Sequence, residues 1–187
     1  MDLFVDRMPT PIGNLFLVWQ GASLRALDFG DYEDRFYRLL KVHYGDCSLT
    51  PAAAPAGIRG ALASYFDGQI TAIERIPVET NGTPFQLKVW AALRHIPAGG
   101  TISYGELAAR IGNPTASRAV GLANGSNPIG IVVPCHRVIG ANGKLTGYGG
   151  GLDRKRWLLE HERGALFVAE RQDRIHVQSA PGGQQRG

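Results

Sequence analysis

The change of periodicity at Thr83-Pro84 constrains this 187-residue chain more than any other feature. A threonine followed by proline reads as a helix N-cap with proline at the first helical position, where the missing N–H costs nothing. Upstream of it, residues 3–29 alternate with a period of two in the runs LFVDRM, NLFLVWQ and SLRALDF, with turns at 11–14 and 20–23. That pattern predicts a small antiparallel sheet. Two helices are predicted beside it, over 32–43 (Phe36, Leu39, Leu40 and His43 on one face) and over 57–67 (Ile58, Leu62, Tyr65, Phe66). The turn-rich stretch 68–82 holds one strand candidate at 72–78.

Downstream the periodicity is helical. The helix opened by Thr83-Pro84 buries Phe85, Val89, Trp90 and Leu93 and stops at Pro97-Ala98-Gly99-Gly100. A second begins at Ser103, with Glu106 three residues on as a capping box, and ends at Gly112. Asn113-Pro114 opens a third, which runs to Gly125. Residues 129–133 read as a short apolar strand, 147–151 as a glycine-rich loop, and 152–162 as a final helix burying Leu152, Trp157, Leu158 and Leu159. Beyond Arg163 the periodicity is lost. The fold class expected is therefore α+β: a small N-terminal α/β domain with an antiparallel sheet over 1–82, a mainly helical C-terminal domain over 83–165, and a flexible tail over 166–187.

Two short helices joined by a tight Gly-Asn-Pro turn have helix-turn-helix form, although an ordinary helix pair in a bundle has the same outline. The third helix is built of small residues, Ala116, Ser117, Ala119, Gly121 and Ala123, with Arg118 as its one large charged side chain. Such a helix leaves little bulk for a core and permits close approach to another surface. Charge supports a polyanionic partner. The chain carries +4 overall, but residues 1–83 hold 7 Lys/Arg against 10 Asp/Glu, and residues 84–163 hold 10 against 4. A basic segment beside an acidic one points to nucleic acid, or else to a solvated basic face.

Only two cysteines are present, Cys47 and Cys135, with no CxxC or HxxxH spacing. A disulfide scaffold or a four-ligand zinc site is not expected, and both thiols are expected to be reduced. The N-terminus lacks a basic region followed by an apolar core, and no apolar run is long enough to span a bilayer, so a cytoplasmic location is expected. Cys135 stands between the apolar strand and a turn, with His136 and Arg137 beside it. Nearby positive charge favours thiolate, the nucleophilic form. A cysteine next to an apolar strand is also a common small core residue. On residue types alone three readings remain: a cysteine that receives a group, a cysteine hydrolase using His136, and a DNA-binding module in which Cys135 is incidental.

The segment IVVPCHRVIGANGKLTGYGGGLDRKRWLLEHE closely resembles the active-site region of the O6-alkylguanine-DNA alkyltransferases, also called methylated-DNA–protein-cysteine methyltransferases, whose signature is PCHRV. The upstream string ISYGELAARIGNPTASRAVGLANGSNP resembles that family's helix-turn-helix and asparagine hinge. The similarity is dense over 84–163; before that it lies in a TPIGNL turn and an ASYFDG helix end. The whole is most similar to the stand-alone bacterial form.

The resemblance implies that Cys135 is the alkyl acceptor and that His136, through a water, and Glu162 behind it form a relay that keeps Cys135 deprotonated. It implies that Asn127 ties the recognition helix to the active-site turn, and that Arg118 fills the gap left by a flipped nucleotide. Ala116, Ser117 and Arg137 are expected at the DNA surface. Tyr104 is expected beside the flipped base, and Val138 with the backbone around Tyr148, Gly149 and Gly150 is expected to line the guanine pocket. Gly149 is expected to widen that pocket. The partner implied is double-stranded DNA carrying O6-alkylguanine, O4-alkylthymine being a further candidate, with the protein acting as a monomer and without cofactor or metal. Some eukaryotic members hold a zinc through Cys and His in the N-terminal domain; here residues 1–46 contain no cysteine and only His43, so none is expected.

Overall fold

The computed structural model describes residues 1–178, and side chains as far as residue 166. Three strands, β1 (Asp2–Met8), β2 (Leu15–Gln20) and β3 (Ser23–Phe29), form the antiparallel meander that the alternation predicts. A fourth, β4 (Ser48–Pro51), joins the far side of β1 in parallel, so the sheet is mixed with order β3-β2-β1-β4. Four residues with a proline at the end carry too short a pattern to be read from sequence. Helices α1 (Glu33–Tyr44) and α2 (Ala56–Phe66) fall where helical spacing placed them.

The strand expected over 72–78 is instead a single 3-10 turn, Ala72–Arg75, with only Val78 bridging to Leu24. The strand expected over 129–133 is likewise absent. Ile129 makes one bridge to Leu27, and the chain then turns at Ile131, the only non-glycine residue with positive φ (66°) among those described. Both segments attach to the open edge of β3. Leu24 N donates to Pro77 O and Leu27 N to Pro128 O, each at 2.9 Å. An edge strand has a row of unpaired backbone groups, and here two connecting segments satisfy them instead of adding a full strand.

The helical part begins with α3 (Pro84–Leu93), capped as expected: Thr83 Oγ1 accepts from Gln86 N at 3.2 Å and Gln86 Oε1 accepts from Thr83 N at 2.9 Å. A two-residue strand, β5 (Ile102–Ser103), leads into α4 (Tyr104–Arg110), whose capping box pairs Ser103 with Glu106. Such caps contribute about 1 kcal/mol each and fix where a helix starts. Helix α5 is Ser117–Gly125, starting later than Asn113-Pro114 suggested, because residues 113–116 close a separate turn through Ala116 N to Asn113 O. Strand β6 (Val138–Ile139) pairs in parallel with β5. The last helix, α6, is Leu152–Gln178, so it continues through the segment where periodicity fades. Residues 179–187, part of the expected tail, lie outside the described residues.

One apolar cluster runs from Leu15, Leu17, Leu27 and Phe29 of the sheet through Ile58 and Leu62 of α2 to Val89, Trp90, Leu107, Val120 and Leu158 of the helical part. The two halves of the sequence thus share a core. No described helix is long and apolar enough to cross a membrane.

Candidate active site

Cys135 lies in a 3-10 turn, Cys135–Arg137, reached through two tight turns in succession. Val132 N donates to Gly130 O at 2.7 Å across Ile131, and Cys135 N donates to Val133 O at 2.8 Å across Pro134. Both are three-residue turns; the one at Ile131 holds a β-branched residue at positive φ, a strained conformation that surrounding contacts must maintain. Asn127 supplies them. Its Nδ2 donates to Val133 O at 2.8 Å and Ile129 O at 3.2 Å, and its Oδ1 accepts from Ile129 N at 3.0 Å. Asn127 stands two residues past the end of α5, so one buried amide fastens that end of the helix to the cysteine turn. Asn124, also buried on α5, adds a contact to the Cys135 carbonyl at 3.4 Å.

The fold brings His136 and Glu162 together. Both are fully buried, with His136 Nε2 2.8 Å from Glu162 Oε1. A carboxylate can only accept, so Nε2 carries the proton of the neutral ring, and Nδ1 is left as a free acceptor with no partner among the described residues. Glu162 accepts four further hydrogen bonds: Arg137 Nη2 and the Tyr65 hydroxyl on Oε1, Arg137 Nε and Gly99 N on Oε2. These donors outweigh the cost of burial and hold its carboxyl well below the ordinary carboxylate range; His136 and Arg137 contribute most. The His136 imidazole is shifted down, chiefly by burial, which disfavours the charged ring, against the opposing pull of Glu162.

The thiol itself departs from expectation. Cys135 is only 5% exposed, and burial raises its pKa above the ordinary thiol value. The Asn127 amide, Arg35 and Lys155 pull the other way without overcoming burial. Positive neighbours in sequence suggested a resting thiolate; the buried geometry holds a thiol that must lose its proton on demand. Arg137 is a second correction. Expected at the DNA surface, it is 2% exposed, clamped by Glu162 and by Ile96 O at 2.6 Å, and so it cannot reach a phosphate. Gly149 is a third. A Cβ there would run into the Arg35 guanidinium, and one on Gly150 into the Phe29 ring, so both glycines admit side chains of the N-terminal half and do not widen a cavity.

Arg118 stands exposed on α5, with no hydrogen bond or ion pair among the described residues, and Ala116 and Ser117 sit half-buried at the start of that helix. Leu122, one turn beyond Arg118, is 72% exposed. Tyr104 is half-buried at the start of α4, its hydroxyl 3.4 Å from Thr146 Oγ1 and its ring facing Gly121 of α5. Val138 is fully buried, and Tyr148 is half-buried with its ring edge-on to His136, centroids 6.5 Å apart.

Sequence reasoning missed several residues that shape this site. Lys155 is fully buried on α6, its Nζ donating to Val138 O at 2.6 Å and Thr146 O at 2.7 Å. Burial lowers its pKa to about 8. Within the run DRKR it reads as a solvated basic face, yet 155, 158, 159 and 162 fall on one stripe of α6, where a lysine and a glutamate among leucines are out of place. Arg35 on α1 pairs with Asp28 and reaches across to Gly125 O at 3.1 Å and Asn127 O at 3.3 Å. Nothing in a surface-helix pattern signals that reach. Tyr65 reads as a plain apolar position, and its hydroxyl partner is 97 residues away.

Residues 84–164 match the family described as 6-O-methylguanine DNA methyltransferase, DNA binding domain. The chain is 50% identical to the methylated-DNA–protein-cysteine methyltransferase of Salmonella typhimurium, over 87% of this chain and 96% of that one. It is 49% identical to the protein of the same name from Mycobacterium bovis, over 82% and 88%. Among solved structures, the O6-methylguanine methyltransferase of Mycobacterium tuberculosis superposes with a TM-score of 0.73 at 44% identity, covering 87% of this chain and 94% of the other. The Mycobacterium tuberculosis OGT in complex with DNA gives a TM-score of 0.74 at 45% identity, covering 88% and 94%.

Proposed function

Because the chain belongs to the methylated-DNA–protein-cysteine methyltransferase family, we propose that it repairs DNA by taking an alkyl group from O6-alkylguanine onto Sγ of its own Cys135. The observation that carries this reading is the buried His136–Glu162 pair, with Nδ1 of His136 free, next to a thiol held in its protonated form. A thiol must become a thiolate to attack carbon. In the proposed step a water passes the Cys135 proton to His136 Nδ1, and Glu162 stabilises the imidazolium through Nε2. The sulfur lone pair forms the new S–C bond as the C–O6 bond breaks, and its electrons leave on the guanine, which is neutralised by the Cys135 proton returned through water from the His136 imidazolium. The product thioether has no easy hydrolytic route back, so each molecule acts once.

An alkyl group inside a duplex is out of reach of a residue 5% exposed, so the base must leave the stack. Helix α5 suits the minor groove: its small residues permit close approach, and that groove's degenerate pattern suits repair in any sequence context. Arg118 is proposed to occupy the gap in the stack, offsetting part of the cost of unstacking. Tyr104 is proposed to stand by the flipped base, and the backbone around Tyr148, Gly149 and Gly150, with Val138, to bound its pocket. Residues 1–82 and 83–165 are proposed as two domains packed on one core, acting as a monomer. O4-alkylthymine, with the same O-alkyl linkage on a smaller base, is a second substrate for the same test.

The deciding experiment is intact-protein mass after mixing with a duplex carrying one O6-methylguanine. A single addition of one methyl group, mapped to Cys135 and saturating at one equivalent, is expected. No addition to protein with a titratable Cys135 thiol overturns the reading.

A further inference from the structure

Oxygen Oε1 of Glu162 has three donors around it, the charged Arg137 Nη2 at 2.9 Å and two neutral groups of opposite consequence. His136 Nε2 stands at 2.8 Å, and the Tyr65 hydroxyl, from the other half of the sequence, also stands at 2.8 Å. Tyr65 is fully buried on α2 and held from several sides. Its ring meets Phe66 and His161 edge-on, each with centroids 5.3 Å apart. His161 of α6 donates from Nε2 to the Tyr65 carbonyl at 2.7 Å and stacks on Trp157 with centroids 4.7 Å apart. Main chain and ring are both fixed against α6, so the phenol has one direction in which to donate.

We propose that Tyr65 is a positioning residue of the alkyl-transfer site: its hydroxyl fixes the Glu162 oxygen that faces His136 and limits how strongly that oxygen draws a proton onto the imidazole. The inference rests on the reading of Cys135, His136 and Glu162 given above. A donor to a carboxylate oxygen withdraws charge from it and makes it a weaker partner for an imidazolium. Tyr65 thereby restrains the relay and gives the N-terminal half a direct part in setting its strength. The other groups facing His136 are Arg137 in the same turn and Lys155 on α6, whose positive charges oppose its protonation. Cys135 precedes it, and Tyr148 from the glycine-rich loop stands edge-on to its ring. None of these supplies a neutral donor to Glu162 Oε1.

The test compares the pH dependence of methyl transfer from an O6-methylguanine duplex in wild type, Tyr65→Phe, and protein with 3-fluorotyrosine placed at position 65. Removing the hydroxyl strengthens the hold of Glu162 on the imidazolium, so the acid-side midpoint moves to higher pH. The fluorinated phenol keeps the shape and is the stronger donor, so its midpoint moves to lower pH. A residue that only supports packing changes the rate and the melting temperature and leaves the midpoint in place; unchanged midpoints in both variants overturn the inference. The pH dependence of iodoacetamide modification at Cys135, with Cys47 as internal reference, reads the same shifts without DNA. Absence of methyl transfer in the wild type defeats the reading of the site, whereas transfer with unmoved midpoints defeats only the role of Tyr65.

Discussion

Arg137 grips both carboxylate oxygens of Glu162 in the interior, Nη2 to Oε1 at 2.9 Å and Nε to Oε2 at 3.0 Å. The pair joins the residue after His136 to the end of the proposed relay, so the imidazole and its carboxylate are held in register by a fork that bonds to the backbone at Ile96 as well. Breaking a buried ion pair on one side leaves an uncompensated charge, at a cost of about 3–5 kcal/mol. Glu162→Gln is therefore expected to lower stability by that order in urea denaturation and to slow transfer sharply. The pH sign follows from the lowered pKa of Glu162. Its contribution is complete above the unfolded carboxylate pKa and is lost as pH falls below that range, so wild type and variant converge in acid.

Asn127→Ala removes three buried hydrogen bonds and strands the N–H of Ile129, while the carbonyls of Val133 and Ile129 keep one donor each, Cys135 N and Val133 N. An unsatisfied buried group costs about 1–3 kcal/mol. The strained turn at Ile131 loses its support at the same time. Expected are a lower melting temperature and a slower transfer rate. Asn127→Asp is expected to be no rescue, because a carboxylate cannot donate to Val133 O.

Gly150→Ala places a methyl group against the Phe29 ring in the shared core, and overpacking of this kind costs about 1–3 kcal/mol. Gly149→Ala meets instead the guanidinium of Arg35, which bonds to Gly125 and Asn127 at the end of α5. Gly149→Ala is thus expected to weaken DNA binding more than stability, and Gly150→Ala the reverse. Denaturation and duplex binding measured on both variants separate the two.

Lys155 has a folded pKa of about 8 against the ordinary 10.5. Between those values the unfolded chain binds the extra proton, so this lysine makes stability rise with pH across that window. Lys155→Met removes this contribution. The difference in unfolding free energy between wild type and variant is expected to shift in favour of the wild type from pH 8 toward 10.5, and a flat difference would contradict the assignment.

Arg118→Ala is expected to weaken binding to a lesion duplex by about 1–3 kcal/mol, the range for loss of one groove arginine, and to reduce the salt dependence of binding. Because Arg118 is exposed and makes no internal contact among the described residues, the melting temperature of the free protein should not change.

Local rules were enough for the sequence to determine the meander β1–β3, the capped starts of α3 and α4, and the cysteine with its histidine. Alternation, capping boxes and the PCHRV string each act over a few residues, so each is written in consecutive letters. Only the tertiary structure decided the rest. It turned the apolar run 129–133 into a strained turn on the edge of β3, because that edge had backbone groups to satisfy. It buried Arg137 against Glu162, 25 residues on, and brought Tyr65 across 97 residues to the same carboxylate. It also raised the Cys135 thiol where its sequence neighbours suggested the opposite, because desolvation depends on everything packed around an atom and charge in sequence counts only the nearest letters.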